Sequence, residues 1–194
     1  MRFLKKNDFN KIDILIRDIR INKAKSLIKT LFNKNTFRLL DIGCGSDYFL
    51  VNKFGGWGLD PKSNNLDQKN IHIKRGVAKD ILPKFENNFF DIITLLAVIE
   101  HLEFRELELL LEQSGRILKK NAFLLITTPK PLSKSILKLS AKLFLISREE
   151  ITGHKLYYSP KNLIQILEKY NFKIIKQKSF ELGLNCLYLF QNKK

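Results

Sequence analysis

The apolar run from Phe37 to Ile42 is broken only by Arg38 and Asp41 and passes directly into Gly43-Cys44-Gly45-Ser46. A short apolar stretch that ends at glycines reads as a buried strand entering a tight turn. Glycine at such a turn lets backbone approach a ligand where a Cβ would collide. Further short strand candidates follow at Gly56 to Leu59, Ile71 to Lys74, Phe90 to Leu96 and Ala122 to Thr127, with gaps long enough for helical crossovers. Alternation of this kind predicts an α/β fold with a mostly parallel sheet. A closing antiparallel pair is expected from Phe172 to Ile175 and Cys186 to Phe190.

Helical spacing fills the intervals. Ile12, Leu15, Ile16 and Ile19, then Ala24, Leu27, Ile28, Leu31 and Phe32, predict one or two amphipathic helices within 8–33, ahead of the sheet. Between Glu103 and Leu118, the residues Leu107, Leu110, Leu111 and Leu118 share one face, while the glutamates are mostly left for solvent. Ser159 and Pro160 form an N-cap and first-turn pair for a helix that runs to Tyr170. With 194 residues, 44% of them apolar, and no repeat or linker, the whole of 1–194 is expected to be one domain. A variable insertion at about 131–158 carries an apolar, lysine-flanked segment from Leu132 to Ile146.

A second acidic strand end, Asp60, follows Asp41 by nineteen residues, the spacing at which a carboxylate can accept both hydroxyls of a bound ribose. A dinucleotide dehydrogenase shares that spacing, but its G-x-G-x-x-G turn requires glycine where this chain has Tyr48. The chain instead resembles the class I S-adenosylmethionine-dependent methyltransferases, in their small-molecule branch of type 11/23. The motifs are Asp41-Ile42-Gly43-Cys44-Gly45, Gly58-Leu59-Asp60-Pro61, Phe90-Asp91-Ile92-Ile93, Glu100-His101-Leu102, Gly115-Arg116-Ile117-Leu118-Lys119 and Thr127-Thr128-Pro129.

The resemblance implies a Rossmann-like, doubly wound, seven-stranded sheet and S-adenosylmethionine as cofactor, with S-adenosylhomocysteine as product. It assigns Asp41, Gly43, Cys44 and Gly45 to the methionine end, Asp60 and Pro61 to the ribose, Val77 and Ala78 to the border of adenine, and Leu96 and Ala97, with Val98, to the far wall. Two departures stand out: Asp47 replaces the third family glycine, and Val77 replaces the acidic residue usual beside adenine, with Asp80 three positions later. Methyl transfer from a sulfonium needs mainly alignment of nucleophile, carbon and leaving sulfur. Where the acceptor is a hydroxyl, a base helps, and His101 is the catalytic candidate because it follows the strand end facing the ligand. His154, with Tyr157 as orienting group, is a candidate for substrate contact. Asp91 is read as structural, Cys44 as a small turn residue, and His72 as an edge or surface residue.

The expected acceptor is a small molecule, or a lipid-type or glycan-type compound, with peripheral membrane contact through 132–146 as one form this takes. Thirty-five Lys and Arg against nineteen Asp and Glu give a formal charge of +16, which suits polyanions. Yet the segment Leu96-Ala97-Val98-Ile99 stands where enzymes that methylate nucleic-acid amino groups carry an Asn or Asp, Pro, Pro, aromatic run, so RNA is the weaker alternative. A methyltransferase fold without turnover, acting as a partner subunit, is the other. Two scattered cysteines fit neither a disulfide framework nor a zinc site, no metal is expected, and the absence of a signal segment or long apolar run predicts a cytoplasmic protein.

Overall fold

A computed structural model describes residues 6–33, 36–131 and 158–194, with side chains from Asp13 onward. Helix α1 (Lys6–Phe32) is one unbroken helix over the region where one or two were expected. It is followed by β1 (Leu39–Ile42), α2 (Phe49–Phe54), β2 (Gly56–Asp60), β3 (Leu66–Gln68), β4 (Ile71–Arg75), α3 (Ala78–Ile81), β5 (Phe90–Leu96), α4 (Phe104–Ile117) and β6 (Leu118–Pro129). After the insertion come α5 (Pro160–Lys169), β7 (Phe172–Phe180) and β8 (Asn185–Asn192).

The strands form one sheet in the order β3-β4-β2-β1-β5-β6-β8-β7. The pairs β4·β2, β2·β1, β1·β5 and β5·β6 are parallel, and β6·β8, β8·β7 and β3·β4 are antiparallel. The architecture is the Rossmann-like one anticipated, with eight strands where seven were expected. The extra strand is β3, three residues at the edge, of which Asp67 and Gln68 are exposed, so it is too short and too polar to show a period. It pairs with β4 through Asp67 opposite His72, and the His72 ring, stacked on Trp57, meets the Asp67 carboxylate at 2.5 Å.

Alternation within the central strands explains their continuous apolar runs. Leu40, Ile93 and Leu124 pack on the face covered by α4 and α5, through Leu107, Leu111, Leu163 and Leu167. Their neighbours Leu39, Ile92 and Leu125 pack on the opposite face against Ala24 and Ile28 of α1 and Leu50 of α2. A strand covered on both sides has no polar face to show. Each buried Leu or Ile contributes about 1.5–3 kcal/mol, so the clamping of the sheet between α1 and α4 is the main source of its stability. Helix α4 starts in a capping box in which the Glu103 amide donates to the Glu106 carboxylate at 2.7 Å, and it buries Leu107, Leu110, Leu111, Ser114 and Ile117.

The two closing strands are longer than the apolar signal implied. In β7 the residues from Lys173 to Ser179 are almost all exposed, so lysines and glutamine occupy positions a covered strand would give to hydrophobics. Asp91 is structural, as read from the sequence: it accepts the Arg38 amide at 2.9 Å and the Lys119 ammonium at 2.7 Å, both far from the carboxyl ends of the parallel strands.

Candidate functional site

Strand direction reverses its crossover sense between β1 and β5, the position at which doubly wound sheets open a crevice at the carboxyl ends of their strands. Along that edge the chain places, in spatial order, Val77 and Ala78 after β4, Asp60 and Pro61 at the end of β2, Gly43 to Gly45 after β1, and Leu96 and Ala97 at the end of β5.

The glycine turn is built by backbone. Gly43 and Gly45 have φ of 77° and 66°, and the Gly43 amide donates to the Leu59 carbonyl at 2.7 Å. A Cβ at Gly43 would lie 2.4 Å from Cγ2 of Val98, whereas one at Gly45 would meet nothing within 4 Å and would project into open space. The first glycine is thus required by packing and the second leaves a cradle. Asp60 fastens the turn from the next strand: its Oδ2 accepts the Gly45 amide at 3.1 Å and its Oδ1 accepts the Lys62 amide at 2.7 Å. Ser63 donates to the Gly45 carbonyl at 2.8 Å. Cys44 is buried beneath the turn, where burial and the nearby Asp41 push its thiol up to about 12, so it is a packing residue and not a nucleophile. Ala97 is a non-glycine residue at φ 58°, held there by donating its amide to the carbonyl and hydroxyl of Thr127 at 3.0 and 3.2 Å.

Beside this turn lies a cavity of about 400 Å³, within the range of small-molecule sites. One wall is Asp41, Gly43, Cys44, Gly45, Leu96 and Ala97. Helix α1 contributes Asp13, Ile16, Arg17, Arg20 and Ile21, and Glu100, His101, Pro129 and Asn185 are also among the lining residues. Asp60, Pro61, Val77 and Ala78 stand along the same sheet edge but outside this cavity. Pro61 and Val77 are exposed and Ala78 is half-buried. His101 is exposed at the cavity rim and carries a contact. His154 and Tyr157, and the insertion at 132–157, lie outside the described residues.

Three acidic groups of the cavity are shifted toward the protonated form. Burial pushes Asp41 up to about 7, with the Asp60 charge adding to it and the Thr94 hydroxyl, which donates to Asp41 Oδ1 at 2.5 Å, opposing it. Burial also pushes Glu100 up to about 7, opposed by hydrogen bonding and by the Arg20 guanidinium. Asp13 is raised by burial as well. Asp47, the departure from the glycine pattern, lines the cavity and accepts Arg17 of α1 at 3.2 Å, and Arg17 in turn lies 4.8 Å above the Phe49 ring.

The residues that sequence reasoning did not anticipate are those of α1 and Glu100. Asp13, Arg17 and Arg20 sit at helical positions that read as an ordinary solvated face, and Glu100 precedes the histidine that drew attention. Among the described residues no group of acidic, histidine or cysteine side chains has the arrangement of a metal site, and no helix is long and apolar enough to cross a membrane.

Comparison with known proteins bears on this geometry. Residues 16–177 match the family model of the methyltransferase domain. The ubiquinone biosynthesis O-methyltransferase of Pelagibacter ubique is 24% identical over 190 residues, covering 91% of this chain and 72% of that protein. A solved Thermotoga maritima S-adenosylmethionine-dependent methyltransferase, described as a candidate histamine N-methyltransferase, superposes with a TM-score of 0.66 at 16% identity, covering 96% of this chain and 95% of the other. A second, from Archaeoglobus fulgidus, gives 0.64 at 19% identity over 88% and 93%. The family match spans well over half of the sequence, and the chain therefore belongs to the methyltransferase domain family, a methyltransferase with S-adenosylmethionine as its methyl donor.

Proposed function

We propose that this methyltransferase binds the methionine end of S-adenosylmethionine against Gly43, Cys44 and Gly45, with Asp41 beneath them. The ribose lies at Asp60 and Pro61, the adenine beside Val77 and Ala78, and Leu96 and Ala97 close the far wall. The observation that carries the reading is the cradle at Gly45, where a turn of positive φ leaves open space at a cavity wall and is tied by its amide to the Asp60 carboxylate. The donor supplies an electrophilic methyl group on a sulfonium, and the protein's share is to hold acceptor and donor in line and to exclude water. The α1 wall, with Ile16 and Ile21 among its lining residues, supports the second task.

The acceptor in this reading is a small molecule, or a lipid-type or glycan-type compound, methylated by direct displacement. His101 at the rim, with His154 and Tyr157 of the insertion, completes the acceptor side. The Pelagibacter relative, named an O-methyltransferase, and the Thermotoga structure support two first probes, a hydroxyl compound, for which 3,4-dihydroxybenzoate serves, and an amine, histamine. Buried and unpaired Cys44 and Cys186 support a cytoplasmic location.

Calorimetric titration with S-adenosylmethionine and S-adenosylhomocysteine tests the reading. Micromolar binding of both is expected, weakened in Asp60→Ala by about 10- to 100-fold, the worth of a hydrogen bond to a charged group at 1.5–3 kcal/mol. Absence of binding to the wild-type protein would move the assignment to a non-catalytic subunit, and binding indifferent to Asp60 would remove the ribose contact.

A further inference from the structure

The part of the cavity lined by Glu100 and α1 holds a set of polar groups that donor binding does not use. Glu100 is only 1% exposed, lines the cavity, and its Oε2 has no hydrogen-bond partner among the described residues. Oδ1 of Asp13 and Nε of Arg20, on the α1 wall, are likewise buried without a partner. A buried polar atom left unpaired costs roughly 1–3 kcal/mol, so three such atoms on residues lining one cavity mark a place where a ligand's own polar groups complete the hydrogen bonding.

The fold explains why they converge there. Glu100 lies in the 3₁₀ turn Ile99–His101 just beyond the strained Ala97, while Asp13 and Arg20 stand two helical turns apart on α1, on the side that faces the sheet edge. The charged and titratable groups that share the cavity with Glu100 are Asp13, Arg17 and Arg20 from α1, Asp41 from β1, Asp47 ahead of α2 and His101 from its own turn, and the Arg20 charge also acts on Glu181 beyond β7.

We propose that this end of the cavity is the acceptor site, that it takes a protic nucleophile presenting an O–H or N–H, and that Glu100 is the catalytic residue that accepts that proton. The inference rests on the methyltransferase reading above. The acceptor's lone pair forms the bond to the methyl carbon, the carbon–sulfur bond breaks with its electron pair passing to sulfur, and the proton of the O–H or N–H passes to Glu100, which returns it to solvent after product leaves. A carboxyl held near neutrality by burial is matched to that task, whereas an exposed one would be too weak a base. Arg20, beside it, is a positioning residue that favours the ionised form.

The decisive measurement is the titration of the Glu100 carboxyl by carbon NMR on protein labelled at glutamate, assigned by its disappearance in Glu100→Gln. It is recorded with S-adenosylmethionine and again with S-adenosylhomocysteine. A sulfonium next to the carboxylate should lower its midpoint by about one unit relative to the uncharged thioether. Identical midpoints would put Glu100 away from the methyl group and overturn the proposal, whichever acceptor the enzyme uses. Failure of both ligands to bind by calorimetry would instead sink the donor site, so the two readings fail separately. With whichever of 3,4-dihydroxybenzoate and histamine is methylated, which distinguishes hydroxyl from amine, Glu100→Gln should lower kcat about 100-fold and abolish the neutral limb of its pH profile, with KM for the donor within about threefold. Retention of that limb in Glu100→Gln and its loss in His101→Asn would give the role to His101 and overturn the proposal.

Discussion

The two walls of the cavity are made in different ways. The glycine-turn wall is backbone: positive φ at Gly43 and Gly45, amides and carbonyls tied to β2, and a carboxylate, Asp60, that accepts two main-chain N–H groups. The α1 wall is side chains: two arginines, an aspartate and two isoleucines from one helix, facing a glutamate and a histidine that follow β5. A backbone wall tolerates few substitutions because its shape is its function, and it fits a ligand part that every member of a family shares. A side-chain wall can be rewritten residue by residue without disturbing the sheet, which fits the part of a reaction that differs from enzyme to enzyme.

That contrast can be broken, most forcefully at Gly43. Alanine there would place its Cβ 2.4 Å from Val98 and force a non-glycine residue to φ 77°, so Gly43→Ala is expected to lose about 3 kcal/mol in denaturant unfolding. Adding Val98→Ala should recover the steric part and leave the roughly 1–2 kcal/mol of backbone strain. If the single variant unfolds like wild type, the backbone wall is more pliable than described. Gly45→Ala meets no neighbour, so it should cost only that strain of about 1–2 kcal/mol in stability while weakening donor binding about tenfold or more, a split readable by pairing calorimetry with unfolding. Equal loss of both would make Gly45 a folding residue.

A graded effect comes from pH. The folded pKa values of Asp41 and Glu100 are raised to about 7, above their unfolded values, so the native state holds protons that the unfolded chain has released. Their contribution is fully present below the unfolded pKa near 4 and is lost as pH rises toward and through about 7. Stability measured by urea titration should therefore fall over that window, and Asp41→Asn should flatten part of the slope. A slope unchanged in Asp41→Asn would mean the carboxyl is not held protonated. The smallest effect belongs to the exposed Arg17–Asp47 pair joining the two walls, for which a double-mutant cycle should give a coupling of about 0.2–1 kcal/mol.

The same contrast governs how much was readable from the chain. The strand-turn unit, the mostly parallel sheet, Gly43 and Asp60 follow from local periodicity and spacing, because backbone-built features leave their mark in consecutive residues, whereas Val77 and Leu96 were reached only through the family resemblance. Asp13 and Arg20 are about eighty residues from Glu100 in sequence and meet only because α1 packs Ala24 and Ile28 against the sheet. Nothing in their helical spacing distinguishes them from a solvated face. Strand β7 was foreshortened for a related reason: an exposed edge carries lysines that erase the alternation. The partner of Asp47 was hidden for the same reason, since Arg17 lies thirty residues earlier on α1.

The most direct test of the whole arrangement is a crystal structure with S-adenosylhomocysteine. The homocysteine end is predicted against Gly43 and Gly45, the ribose hydroxyls at Asp60, and the sulfur directed toward Glu100 across the cavity beneath α1. Ligand density on any other edge of the sheet, or with its sulfur turned away from Glu100, would contradict the assignment of the two walls.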